Sequence, residues 1–340
     1  MARLRAAIIG YGRNGSSMHA GAIEQSEHFE LAAACDIDPD RRRQAQERFG
    51  CRVYEDYREM LRAESLDLAI IVTRSDQHCE MTCDCLKAGV NVLVTKPWCV
   101  NEAEARRMIE AAQGSGRLLL PWLPARWGTD FTRLRELMAG GAIGRVFCVR
   151  RAAFGFGMRS DWQTERRYGG GYLLNWGPHL VDTAMLLAGG RARSACGWMK
   201  QVNDPGDGED VFFALLRMDN ETAVHVERSV AIKGLPDWFV QGDHGTIVAE
   251  GRQITVHAGE PPRPASPTDY AGAASAEPSV TTETVGPAVY GDEHEIYREV
   301  AIAVRGEREF PVTPADALEL TRVLDAIRLS DREGRVVILR

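Results

Sequence analysis

The stretch Leu4-Arg5-Ala6-Ala7-Ile8-Ile9-Gly10-Tyr11-Gly12-Arg13-Asn14-Gly15 decides the fold. Its first six residues form a short, largely apolar run fit for a strand buried on both faces. Gly10–Gly15 then reads G-x-G-x-x-G, and a helical pattern follows to about Gln25. Glycines at that spacing allow a tight turn and close approach of backbone to a pyrophosphate, which the helix N-terminus faces. Alone, the motif is weak. Here a second strand, Phe29–Cys35, ends in Asp36, about 20 positions beyond Gly15, where a carboxylate can accept hydrogen bonds from an adenosine ribose. Strand, turn, helix and acid together define a dinucleotide site, with Gly10, Tyr11, Gly12, Arg13, Asn14, Gly15 and Asp36 as its cofactor-binding residues. Asp36 would repel a 2′-phosphate, which favours NAD; Arg41, Arg42 and Arg43 on the next helix, Asp40–Phe49, leave NADP open.

Outward from this unit the same alternation repeats. Strands are expected at Leu66–Thr73, Asn91–Val94 and Arg117–Leu120, and helices at Asp76–Ala88 and Asn101–Gln113. Gly89 suits a C′ position, and Asn101 with Glu104 suits a capping box. Strands alternating with helices predict a parallel sheet covered on both faces, with ligand outside the carboxyl ends of the strands. Gly12, Thr73 and Lys96 lie at such ends. Position alone leaves Lys96 between two readings: a lysine whose pKa is lowered beside a nicotinamide, or a surface lysine starting a loop.

Beyond Pro121 the pattern changes. A helix at Asp130–Ala139 leads through Gly140-Gly141 to a strand at Arg145–Ala153 and a loop rich in aromatics and arginines. Further strands are expected at Ser194–Met199, Val211–Met218, Thr222–Val230, Trp238–Gln241, Thr246–Ala249 and Gln253–His257, close enough for an antiparallel sheet in which His225 is a strand side chain. Glu260–Glu277, rich in Pro, Ala and Ser, reads as a long loop, and helices return at Asp292–Val304 and Pro314–Leu329, packed on the second domain or the seam. Between the aromatic- and arginine-rich loop and the strand at Ser194–Met199 lies Gly169–Asp182, GGGYLLNWGPHLVD. Proline suits only the first turn of a helix, so Pro178 places the helix start near Asn175. On that helix Asn175, His179 and Asp182 share one face.

With 340 residues the chain suggests about two domains. The net charge is −7 with basic residues dispersed, which argues against a nucleic-acid surface, and no run approaches the ~18–20 apolar residues that span a bilayer. The chain passes from Met-Ala-Arg straight into a strand, leaving no room for a signal peptide, so a cytoplasmic location is expected. Cys79, Cys83 and Cys85 beside His78 invite a metal reading, but the spacing lacks paired C-x-x-C and a helix would separate Cys85 from the other two. Buried free thiols are the expectation, and no metal.

These motifs, in order, resemble the Gfo/Idh/MocA oxidoreductases over nearly the whole chain. Gly10–Gly15 with Asp36 resembles the cofactor fingerprint, and Thr73-Arg74-Ser75-Asp76-Gln77-His78 the T-P-N-x-x-H block. Thr95-Lys96-Pro97 resembles E-K-P, Arg126-Trp127 an Arg-aromatic pair, Gly141–Val146 the entry to the second domain, and Gly169–Asp182 the GG-x-L-x-D-x-G-x-H-x-x-D block. The C-terminal helices are also similar over Glu295–Leu329. The resemblance implies a Rossmann doubly wound parallel sheet, residues 1–122, and a substrate-binding and oligomerisation α/β domain with a large, mostly antiparallel open sheet, residues 123–340. It implies Thr73, Arg74, His78 and Lys96 as cofactor contacts and Lys96 and His179 as catalytic residues. Three positions depart from the pattern: Arg74 replaces Pro, Thr95 replaces Glu, and Asn175 replaces Asp. An amide at 175 can orient a substrate hydroxyl but cannot act as a base. The expected reaction is hydride transfer between NAD(P) and a secondary alcohol of a sugar, sugar acid or cyclitol. Lys96, Arg126, Arg159, Trp162, Asn175 and His179 are the expected substrate contacts. A glycosidase using NAD catalytically and a cofactor-binding regulator with lapsed chemistry are the alternatives. A homo-oligomer, dimer or tetramer, is expected through the second sheet.

Overall fold

Leu4–Ile9 forms β1 in the computed structural model, which describes residues 2–260 and 277–339. With β2 (Phe29–Cys35), β3 (Arg52–Tyr54), β4 (Leu68–Ile71), β5 (Asn91–Val94) and β6 (Leu119–Pro121) it builds a sheet of order β3-β2-β1-β4-β5-β6. Every pairing is parallel. The winding reverses between β1 and β4, so a crevice opens beyond their carboxyl ends. Alternate β1 side chains point to opposite faces. Ala6 and Ile8 pack with α1 (Ala20–Glu24) and α2 (Pro39–Phe49), while Ala7 and Ile9 pack with α3 (Tyr57–Ala63), α4 (His78–Lys87) and α5 (Glu102–Ser115). Such burial on both faces explains the continuous apolar runs.

Local signals mostly act as expected. Gly89 adopts φ +83° after α4. Asn101 caps α5 by accepting from the Glu104 N–H at 3.0 Å, but the Glu104 carboxylate accepts from the Val100 N–H, one residue short of a capping box. Cys79, Cys83 and Cys85 are buried, and the first two thiols lie against the Glu104 and Arg107 carbonyls of α5. They act as packing between α4 and α5.

After α6 (Thr129–Ala139) the chain lays down β7 (Val146–Phe154), α7 (Tyr172–Ala188), β8 (Ala192–Lys200), β9 (Val211–Met218), β10 (Ala223–Ser229), β11 (Trp238–Gly242), β12 (Gly245–Glu250), β13 (Gln253–Ala258), β14 (Ser279–Thr284), α8 (Glu293–Val304), α9 (Pro314–Glu333) and β15 (Val337–Ile338). The strands form a nine-membered sheet of order β14-β13-β12-β11-β7-β10-β9-β8-β15, in which only β7 and β10 run parallel. The expected loop at Glu260–Glu277 falls outside the described residues except at its two ends.

The start of α7 corrects the sequence reading. It begins at Tyr172, not near Asn175, and Pro178 lies inside it. The cap comes from far away: Glu209 accepts from the Tyr172 N–H through its carbonyl, at 2.7 Å, and from the Leu173 N–H through its carboxylate, at 3.1 Å. A local proline rule has no view of that cap. The final helices return to the first sheet. Trp98 donates to Thr321 at 2.7 Å, the Glu102 N–H donates to Asp325 at 2.8 Å, and the Tyr297 hydroxyl meets His19 at 2.8 Å.

Candidate active site

The glycine turn after β1 fits a dinucleotide. A Cβ on Gly15 would lie 2.1 Å from the Gly10 carbonyl oxygen, so the turn closes only around glycine. A side chain at Gly12 would meet nothing but the Arg41 guanidinium, which leaves that side of the turn open for phosphate. The buried Asp36 carboxylate accepts from the Tyr11 N–H at 2.8 Å and from the Asp38 N–H at 2.9 Å, and Arg41 lies 3.6 Å from it. It is thereby held at the end of β2, where the ribose of a dinucleotide is read.

A cavity of about 220 Å³, open to solvent, lies between the two sheets. Asn14, Thr73, Thr95 and Lys96 line it from the first; Trp162, Asn175 and His179 line it from the second. The Lys96 ammonium donates to the Asn175 side-chain oxygen at 2.8 Å and to its main-chain carbonyl at 3.0 Å. Burial, with Arg159 and Arg13 nearby, brings the Lys96 pKa down to about 8. His179 is buried, and its pKa is pushed well below the ordinary value by burial and by the charges of Lys96 and Arg151. Its Nδ1 has no hydrogen-bond partner among the described residues. A neutral imidazole and an ammonium close to deprotonation therefore share one cavity, which is the equipment for moving a proton near neutral pH.

The remaining expected residues divide. Tyr11 is buried in the core and offers the loop its backbone, while Arg13 is exposed and contributes charge near Lys96. His78 lies beneath the cavity floor: Nδ1 is 2.8 Å from the Pro97 carbonyl oxygen and Nε2 3.1 Å from that of Thr73. It ties the β4 and β5 ends together instead of facing the cofactor crevice. Arg74 stacks on Tyr168 of the second half, 4.0 Å from the ring centre, where the family's proline could make no such contact. Gly169 follows directly, and a Cβ there would press on Val100 and Ser75 at 2.7 and 2.8 Å. Arg126 is not among the residues lining the cavity. Its guanidinium grips Asp182 at 2.7 and 2.8 Å and reaches Asp316 at 3.3 Å. Arg159 pairs with Asp161 at 2.6 Å, close enough to influence Lys96. His225 is an outward strand residue.

Sequence reasoning missed four residues. His19 lines the cavity from the turn before α1, its pKa pushed down to about 3 by burial. Tyr290 reaches in from the segment before α8, its ring 4.7 Å from that of His179. Arg151 and Arg228 are buried on the inner face of β7 and β10. A signal for Arg228 existed, since it continues the inward alternation of Val224 and Val226. Tyr290 lies among no periodic pattern that would mark it.

A dinucleotide crevice facing a Lys–His pair across two sheets defines a nicotinamide-dependent oxidoreductase. Residues 4–121 match the model of the oxidoreductase family with an NAD-binding Rossmann fold, and residues 131–248 that of the GFO/IDH/MocA C-terminal domain. The chain belongs to the GFO/IDH/MocA family. It is 24% identical to a scyllo-inositol 2-dehydrogenase (NADP(+)) of Bacillus subtilis, over 99% of this chain and 96% of that protein. It is 29% identical to a D-apiose dehydrogenase of Paraburkholderia graminis, over 99% and 90% respectively. In fold it resembles an NAD-binding protein from Listeria innocua, with a TM-score of 0.86 at 23% identity and all of both chains covered.

Proposed function

We propose that this protein interconverts a secondary alcohol and a ketone on a sugar, sugar acid or cyclitol, using NAD(H) in preference to NADP(H). One observation carries the reading: Lys96, with its pKa near 8, and the neutral His179 face the same cavity at the mouth of a dinucleotide crevice. The nicotinamide, when bound, supplies the hydride acceptor or donor. The protein's part is the proton. His179 takes it from the substrate hydroxyl. Lys96 holds the same oxygen, and the Asn175 amide oxygen keeps the ammonium aimed at it. Gly10–Gly15 and Asp36 hold the dinucleotide, and Thr73 and Thr95 line the floor beside Lys96. Trp162 forms part of the substrate wall, and Arg159 adds positive charge from the loop beside it.

Residues 1–122 act as the cofactor domain and residues 123–340 as the substrate domain. The outer face of the second sheet supports a homo-oligomer, dimer or tetramer, because Trp198, Phe213 and Leu215 are exposed there side by side. A cytoplasmic setting suits the eight free cysteines. Neither a glycosidase nor a lapsed regulator is favoured, since the relatives are named dehydrogenases and the Lys–His pair is intact. The test is turnover of NAD and NADP across a panel of aldoses, uronates and inositols, followed by reduced-nicotinamide absorbance with product analysis. Cleavage of a glycoside with no net reduction, or cofactor binding without turnover on any of the panel, would overturn it.

A further inference from the structure

Arg228 is a buried cation with no carboxylate in ion-pair range among the described residues. Its Nη1 donates to the Ala153 and Ser229 carbonyls, while its Nε has no partner among the described residues. The guanidinium carbon lies 4.9 Å from the ring centre of Tyr172 and 4.8 Å from that of Trp176. Gly155 stands opposite Nη2, where an added Cβ would lie 3.2 Å from it. The nearest acids are already engaged: Asp204 accepts from the Arg159 N–H, and Asp210 from the N–H groups of residues 202–204.

This cation is not isolated from the catalytic cavity. Trp176 follows Asn175 directly and lies 6.4 Å from Tyr290, which stands over His179. Trp176 and Tyr290 therefore link Arg228 to the wall of the cavity, of which Tyr290 is part. Arg151, on the neighbouring strand, repeats the pattern in part. Its Nε also has no hydrogen-bond partner among the described residues, but Asp130, 3.9 Å from its Nη2, supplies a counter-charge. Lys96 adds a third cation facing only an amide and a carbonyl. Burying positive charge without counter-charge is unfavourable, and stacking on aromatics offsets only part of that. An anion delivered by a ligand would offset more.

We propose that Arg228 is the anchor for an acidic group of the substrate, so that the preferred substrate is an anionic sugar derivative and not a neutral polyol. The inference rests on the dehydrogenase reading above. The Nε–Nη2 edge, whose Nε has no hydrogen-bond partner among the described residues, presents two parallel donors, the geometry that matches a carboxylate and also takes a phosphate. Tyr172 and Trp176 hold the guanidinium plane in place to receive it.

The experiment uses matched triplets, an aldose, its uronate and its 6-phosphate, with the full-length protein and NAD. The expected result is that kcat/KM for one acidic member exceeds that for the neutral sugar at least tenfold, and whichever acid is favoured separates carboxylate from phosphate. In Arg228→Met the acid-to-neutral ratio should fall by roughly 10- to 100-fold, chiefly through KM, in keeping with a lost charge-assisted hydrogen bond; Arg228→Lys should restore part of it. A merely structural arginine would lower all three substrates alike and leave the ratio unchanged. An unchanged ratio, or a wild-type enzyme indifferent to the acid, overturns the proposal. Should no sugar turn over, the dehydrogenase reading has failed separately. Calorimetry of glucuronate and glucose 6-phosphate on the NAD-loaded protein then decides: binding lost in Arg228→Met supports the anchor, and no binding to the wild type overturns it. If Arg228→Met does not fold, Arg228→Lys and Arg228→Gln carry the same comparison.

Discussion

Lys96 and Asn175 meet across the two halves of the molecule: one ammonium donates to both the side-chain and the main-chain oxygen of one asparagine, at 2.8 and 3.0 Å. The pair is neutral on the asparagine side, so nothing there holds the lysine in its charged form. That is why burial can bring the Lys96 pKa down to about 8.

Replacing Lys96 by Met should lower kcat by more than about 100-fold, the scale of a lost general acid–base group. The affinity for NAD should change by no more than a few-fold, because the glycine turn and Asp36 remain. Steady-state turnover alongside a cofactor-binding titration checks both halves of the expectation.

Asn175→Asp places a carboxylate beside the ammonium. An opposite charge favours the charged lysine, so its pKa should rise. In the wild type, kcat/KM for alcohol oxidation should hold level below about 8 and fall above it, as Lys96 loses the proton with which it holds the substrate oxygen. In the variant the falling limb should move upward by about one unit or more. A profile that stays in place would separate Lys96 from the observed ionisation.

His19, His78 and His179 are all buried with pKa values below the ordinary one, His19 near 3. The unfolded chain, with histidines near 6.5, therefore binds protons that the folded chain refuses. Their contribution is complete above pH ~6.5 and is lost as pH falls below it, at up to about 1.4 kcal/mol per pH unit for each histidine that stays neutral in the folded chain. Urea unfolding at several pH values between about 7.5 and 5 measures the slope. His19→Gln should reduce it by one histidine's share.

Asp36→Ser removes the charge that faces a 2′-phosphate and leaves Arg41 beside the vacated position. The ratio of kcat/KM for NADP over NAD should rise at least tenfold. The same assay with both cofactors on wild type and variant gives the answer.

Trp198→Glu puts a charge in the centre of the exposed apolar face formed with Phe213 and Leu215. Sedimentation should show the oligomer shifting to smaller species. A wild-type protein that sediments as a monomer would rule out this face as an interface.

How much of this was legible from residues alone follows from where the information lies. β1, β2 and β5 were placed to the residue because apolar runs bounded by glycine or charge carry their own limits. β3 was not, since Arg52-Val53-Tyr54 is too short to show a period and is only partly buried. Lys96 and His179 were found through motif order, and the cavity brings them together. Arg126 was read as a substrate contact because its position is motif-like, yet Asp182 and Asp316 claim it. Those partners lie far along the chain, and no local pattern predicts such pairing. Tyr290 and the Glu209 cap of α7 escaped for the same reason. Arg228 differs: its place among inward valines was visible, but only a known sheet says that the face it joins borders a cavity.

The return of α8 and α9 to the first sheet also limits how this enzyme can be recombined. Tyr297 against His19, Thr321 on Trp98 and Asp325 on Glu102 mean that the last helices complete the surface of the half made first. The two halves are therefore not interchangeable cassettes. A chimera that joins this cofactor half to a relative's substrate half inherits a foreign α8 and α9 and leaves Trp98 and His19 facing the wrong neighbours. A graft that keeps residues 293–333 with residues 2–121, and exchanges only what lies between, preserves the fit.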